Sequence, residues 1–179
     1  MIESRRKDGF TLVELLLVVS MIGIIASIAL PSLSRARAAS TEASTIGSLR
    51  ALNSAQASYA TACAGGSYAP SVTWLTKPAS GKASFVGPEF AAGDTVNRLG
   101  YRFRFTAGTV VATSRATCNG LAAGQAVSSY FIGADPLQTG PSFGIRHFGT
   151  NAAATIYQSA NRINVVLTGS PPAPAKPLQ

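Results

Sequence analysis

Charge is scarce in this chain: 12 % of its 179 residues are Asp, Glu, Lys or Arg, about half the share of an ordinary soluble domain. Acidic residues are the fewest, seven against fifteen basic ones, which leaves a formal net charge of +8. His147 is the only histidine, and Cys63 and Cys118 are the only cysteines. A zinc site wants further Cys or His ligands, so no metal motif fits these three. Beyond residue 62 the acidic residues are Glu89, Asp94 and Asp135 alone, without the clustered oxygens of a calcium loop. No nucleophile motif, phosphate-binding loop or carboxylate pair is present, and His147 has no identifiable Ser or Cys partner. It reads as a structural or surface residue. The pattern points away from an enzyme and calls for no cofactor.

The basic excess attracts anionic partners such as nucleic acid, lipopolysaccharide or acidic polymers over long range. Surface proteins that bind nothing specific carry similar charge, so the sign alone does not choose a function. The length suits one membrane segment plus one modest globular domain.

From Phe10 to Leu30 runs a stretch of 21 residues whose only charge is Glu14. As a helix it spans about 32 Å, close to the roughly 30 Å hydrocarbon core of a bilayer. Pro31 follows. Arg5, Arg6 and Lys7 precede the run, so the positive-inside rule places the short leader in the cytoplasm and the bulk of the chain outside. Arg35 and Arg37 beyond the other end weaken that bias. A secretory signal peptide cut near Ala36-Arg37-Ala38 and an uncleaved signal anchor remain as alternatives.

Glu14 separates these readings. A carboxylate in an apolar helix is costly unless neutralised, paired or able to reach the interface. A local role is available, because Thr11-x-x-Glu14 fits a capping box at a helix start. A second role appears if the chain is cut between Gly9 and Phe10. The new α-amino group would then be the only nearby cation, since no Lys, Arg or His lies between Phe10 and Ser34. It can pair with Glu14 of the same chain or of a neighbour, and a buried pair between helices can specify register.

Arg5-Arg6-Lys7, Gly9, Phe10, Thr11, Leu12, Glu14, the apolar run and Pro31 together resemble the N-terminus of the type IV prepilins, shared by type IV pilins and the pseudopilins of type II secretion. The resemblance covers about the first 33 residues. It implies cleavage after Gly9 by a prepilin peptidase/methyltransferase and N-methylation of Phe10. It also implies an inner-membrane precursor, an inner-membrane assembly platform as partner, and polymerisation with itself, with or without minor pilins, into an extracellular fibre. A periplasmic pseudopilus, a DNA-binding competence pilin and a secreted enzyme are the rival expectations.

The expected fold class is α+β: a long N-terminal helix packed on a small antiparallel sheet. The divisions are a leader over 1–9, a transmembrane and assembly helix over 10–33, and an amphipathic helical half over 34–62. A connecting loop and sheet head over 63–168 and a Pro-rich tail over 169–179 follow. Leu33, Ala36, Ala43, Ile46, Leu49, Leu52 and Tyr59 approximate one apolar face, so the helix should continue to about Thr61 and reach about 75 Å. Gly23 and Pro31 are its weak points, where it should kink or unwind; in related filaments this region is locally melted.

Residues 64–97 are rich in turn signals, with a short helical turn expected at Glu89 to Ala92. Trp74, Leu75, Phe85 and Phe90 should pin this region to the core, or else form an exposed adhesive loop. Leu99 to Thr106 alternates, with Tyr101, Phe103 and Phe105 on one face and Arg102 and Arg104 on the other, which predicts a strand. Further strands are expected at Thr109 to Thr117 and Val127 to Gly133, and a terminal hairpin joins Ile145–Phe148 to Thr155–Tyr157. Four prolines make the tail from Gly169 extended and mobile.

Cys63 and Cys118, held outside the cytoplasm, read as a disulfide that closes a loop worth about 4 kcal/mol; two separate buried thiols are the alternative. Arg98, Arg102, Arg104 and Arg115 beside aromatics allow nucleic-acid binding by phosphate contact and base stacking. A solvated arginine face behind a packed aromatic one is the favoured explanation.

Overall fold

A computed structural model describes residues 9–138, 140 and 143–178. The leader bases Arg5, Arg6 and Lys7 and the terminal Gln179 lie outside the described residues.

One helix, α1, runs from Leu12 to Ala62. Its start follows from Thr11, an extended residue whose hydroxyl accepts the backbone N–H of Glu14 at 3.2 Å. The carboxylate of Glu14 in that first turn adds to the cap through the helix dipole. Within the apolar half, Ser20, Ser27 and Ser32 donate to the carbonyls of Leu17, Ile24 and Ala29. These hydroxyls need no water. Gly23 and Pro31, expected as points of kinking or unwinding, both lie within unbroken helix. The proline removes one backbone donor, whereas unwinding would strip several groups of their partners along an otherwise apolar stretch.

The second half of α1 packs on a six-stranded antiparallel sheet whose strands lie side by side in chain order. They are β1 (Thr95–Arg98), β2 (Tyr101–Ala107), β3 (Tyr130–Pro136), β4 (His147–Asn151), β5 (Ile156–Ser159) and β6 (Lys176–Pro177). Tyr101, Phe103, Phe105, Tyr130, Ile132, Phe148 and Ile156 form the helix side of the sheet and meet Leu49, Leu52 and Tyr59 of α1. The short helix α2 (Val72–Thr76) and a 3-10 turn at Pro88–Phe90 roof this core, with Leu75 and Phe90 fully inserted and Trp74 and Phe85 half-buried. The aromatic residues of the connecting region are thus pins, as expected, and not an exposed loop.

Several expectations need correction. The buried face of α1 is rotated from the apolar one: Leu33, Ala36 and Ala43 are exposed, while Glu42, Thr45, Ser48, Asn53 and Gln56 are buried beside Leu49 and Leu52. Their polar atoms are satisfied: Thr45 and Ser48 donate to carbonyls one turn back in α1, and Glu42, Asn53 and Gln56 find partners in the head. Gln56, for example, closes a double hydrogen bond with the backbone of Ala69.

β1 was not expected, because its hairpin turn is Leu99-Gly100, and Leu99 adopts φ 53° where Asn or Gly is usual. Thr109 to Thr117 forms no strand, only an isolated bridge between Val110 and Val127. There the hydroxyls of Ser114 and Thr117 accept the backbone N–H groups of Ala126 and Leu121 and hold the chain in turns instead. β3 begins three residues later than Val127, because it is paired along the whole of β2, from Ala107–Tyr130 to Tyr101–Pro136. The tail is anchored where mobility was expected: β6 pairs with β5, and the N–H of Leu178 donates to the carbonyl of Ile156 at 2.8 Å.

Candidate assembly helix and head surface

Residues Gly9 and Phe10 precede α1 without regular structure, and both are exposed. From Phe10 to Leu30 every large apolar side chain stands open, Phe10 at 76 % and Ile28 at 73 % of full exposure. Water-soluble monomers rarely leave a patch of that size uncovered. The helix is long and apolar enough to cross a membrane. Glu14 is the single charge on this surface, and it makes no ion pair among the described residues.

The far end of α1 is fixed covalently. Cys63, its C-cap residue, is bonded to Cys118, and the Cys118 N–H donates to the Cys63 carbonyl at 3.3 Å. Asn119 continues the clamp by donating to the carbonyls of Trp74 and Lys77. One disulfide therefore ties helix end, α2 and the 109–127 loop together.

Glu42 and Asn53, not singled out by the sequence, attach α1 to the strands. The Glu42 carboxylate accepts the N–H groups of Ile145 and Arg146 at 3.0 and 3.3 Å and the Arg146 guanidinium from Nε at 2.7 Å. Burial alone pushes its pKa up, but the Arg146 guanidinium and the two backbone donors outweigh it and hold the group below the usual carboxylate range. Asn53 donates to the Thr150 hydroxyl and the Ala154 carbonyl and accepts the Tyr130 hydroxyl. Burial raises the Tyr130 pKa, so this phenol stays a donor.

The four arginines considered for nucleic acid do not form one surface. Arg98 pairs with Glu89 and lies over the Phe90 ring, and Arg115 stands on the separate 109–127 loop. Arg102 and Arg104 share the outer face of β2, where Arg104 is held by Asp135. Tyr101, Phe103 and Phe105 are buried beneath α1 and offer bases no platform. The remaining acidic side chains of the head serve the fold as well, Asp94 by accepting the N–H of Val72. Among the described residues no three His, Cys, Asp or Glu side chains are grouped to hold a metal ion.

An exposed apolar helix whose second half packs on an antiparallel sheet is an α+β, pilin-like architecture. Residues 4–30 match the family described as the prokaryotic N-terminal methylation motif, the type IV prepilin signature. Comparison with curated proteins and with solved structures gives no match. The motif supports a type IV pilin- or pseudopilin-like protein, and together with the apolar helix it fits an inner-membrane precursor.

Proposed function

We propose that this chain is a structural subunit of a type IV pilus-like filament. The exposed apolar half of α1, bearing the single carboxylate of Glu14, carries the reading. The precursor sits in the inner membrane by this helix, is cleaved after Gly9 and is N-methylated at Phe10 by the prepilin peptidase/methyltransferase. Methylation leaves a basic amine, which pairs with Glu14 of a neighbouring subunit as an assembly platform lifts the chain from the bilayer. In the growing bundle, helices replace lipid around the apolar residues, and the ion pair sets the register at which they stack. Gly23 and Pro31 are the positions at which the helix would unwind as neighbours pack around it. The sheet head then forms the fibre's outer surface.

A pseudopilin of a type II secretion system uses the same helix and differs in where the polymer ends. Mass spectrometry of the N-terminus in sheared fibres and in the membrane fraction tests the proposal. N-methylated Phe10 in abundant sheared fibres is the expected result. Processed protein confined to membranes would favour the pseudopilin, and an intact Met1 or a cut beyond Leu30 would overturn both.

A further inference from the structure

The outer face of the sheet, away from α1, carries a charge imbalance that the filament reading leaves unused. Arg102 and Arg104 leave β2 on this face, Asp135 leaves β3, His147 leaves β4, and Arg162 lies just past β5. These five side chains line one recess of about 200 Å³. Asp135 is its single carboxylate. Oδ2 accepts Arg104 Nε at 2.9 Å, and Oδ1 meets His147 Nδ1 at 2.8 Å. Arg162 Nε approaches Oδ2 at 3.6 Å, too far for a direct hydrogen bond. Three of the five ion pairs among the described residues therefore converge on Asp135.

One carboxylate does not balance this group. Three guanidinium groups against it leave +2 with the imidazole neutral. Repulsion between like charges grows as water is excluded from between them. Gly133 leaves room beside them: a Cβ there would lie 3.2 Å from the Phe131 ring and 3.3 Å from Arg104 Nη2. Donors remain available. Arg102 is exposed and contacts Asn97 Oδ1 only at 3.4 Å, and the Arg162 side chain is 60 % exposed.

We propose that this recess is an oxyanion site that takes a phosphate group. Guanidinium forks match phosphate oxygens geometrically and electrostatically. The donors reach the recess from two strands and a loop, and a tetrahedral ion presents oxygens in more than one plane to meet them. Asp135 aligns Arg104 and His147 and leaves Arg102 and Arg162 to close on the anion. With Nδ1 committed to Asp135, a protonated His147 adds Nε2 as a further donor. No Phe, Tyr or Trp ring lines the recess, and the His147 imidazole is held edge-on by Asp135 through Nδ1, so the recognised element is the phosphate and not a base stacked beside it. The site belongs to the single subunit and stands whether or not the filament reading does.

Titration of the full chain in detergent micelles, at constant ionic strength, tests this with inorganic phosphate and dimethyl phosphate as probes. Calorimetry or phosphorus NMR should show saturable binding at one site. Arg102→Gln and Arg162→Gln should each weaken it about tenfold, with thermal unfolding unchanged because both side chains are exposed. Arg50→Gln, an exposed charge on α1, should leave it unchanged. Binding of dimethyl phosphate as well as phosphate assigns the ligand to a polymer diester; binding of inorganic phosphate alone assigns it to a free or terminal phosphate. No saturable binding of either probe, or equal weakening by Arg50→Gln, overturns the proposal.

Discussion

Glu42 in the middle of α1 and Arg146 just ahead of β4 stand 104 residues apart in sequence, yet one carboxylate receives both the guanidinium and the backbone N–H of that arginine. Glu42 is 5 % exposed while the Arg146 side chain is 45 % exposed, so the attraction is partly screened on one side. Glu42→Gln should lower the stability of the head by about 1–3 kcal/mol, the range for a lost charged hydrogen bond in a partly buried site. Because the folded pKa lies below the ordinary 4.5, the wild-type advantage is full above that value. It should shrink as pH falls below 4.5 through the folded pKa. Urea unfolding of both proteins between neutral pH and pH 3 measures the difference, and an unchanging gap would refute the linkage.

Asn53 supplies a second tie of a different kind. Its amide is shared among Thr150, Ala154 and Tyr130, all neutral groups. Asn53→Ala should leave the buried Tyr130 hydroxyl without its acceptor, while Thr150 still donates to the Thr155 carbonyl, and destabilise by about 2 kcal/mol. That loss should be the same from neutral pH down to pH 3, in contrast to Glu42, whose contribution falls below pH 4.5. Thermal melts across that range are the check.

Replacing Cys63 and Cys118 together by serine opens a loop with a sequence separation of 55. The chain-entropy estimate for such a loop is about 4 kcal/mol. Denaturant unfolding of the double variant should show a loss of that order, and the end of α1 near Cys63 should become accessible to protease. A variant as stable as the parent would mean that the Asn119 contacts alone hold the clamp.

For the proposed filament, Glu14→Ala should leave membrane insertion intact, since the apolar run is untouched, while fibre yield falls at least tenfold. Removing the cap contribution of one carboxylate costs only about 0.3–1 kcal/mol, too little to unfold the helix. Fractionation and shearing separate the two effects, and undiminished fibres would sink the register role.

Local signals in the sequence announced the apolar helix, the alternating strand β2 and the β4–β5 hairpin. Each is a pattern that neighbours in the chain enforce by themselves. What stayed hidden depends on distant partners. Nothing local marks Glu42, Asn53 and Gln56 for burial until Arg146, Thr150 and Ala69 are brought to them. The turn at Leu99 hides β1 because leucine gives no hint of a positive φ. Proline in the tail suggested looseness, yet Pro177 lies in the edge strand β6, a position where its missing N–H is tolerated. At the candidate site, Gly9, Phe10 and Glu14 were legible because they lie within six residues of chain. The recess around Asp135 was not, because its five side chains come from four separate stretches of chain.

The order of the strands has a consequence for how the head comes into being. Each strand pairs with the one just before it, so the sheet can be laid down hairpin by hairpin as the polypeptide becomes available, with short loop closures favouring speed. Only the docking of α1 spans the whole chain, and it waits for Arg146 and Thr150. The seal comes later still, when Lys176 to Leu178 reach β5 and cover its edge. A chain halted shortly before that point would possess a finished membrane helix beneath an open-edged sheet. Residues 176–178 are therefore the last contact needed to cover the outer side of β5.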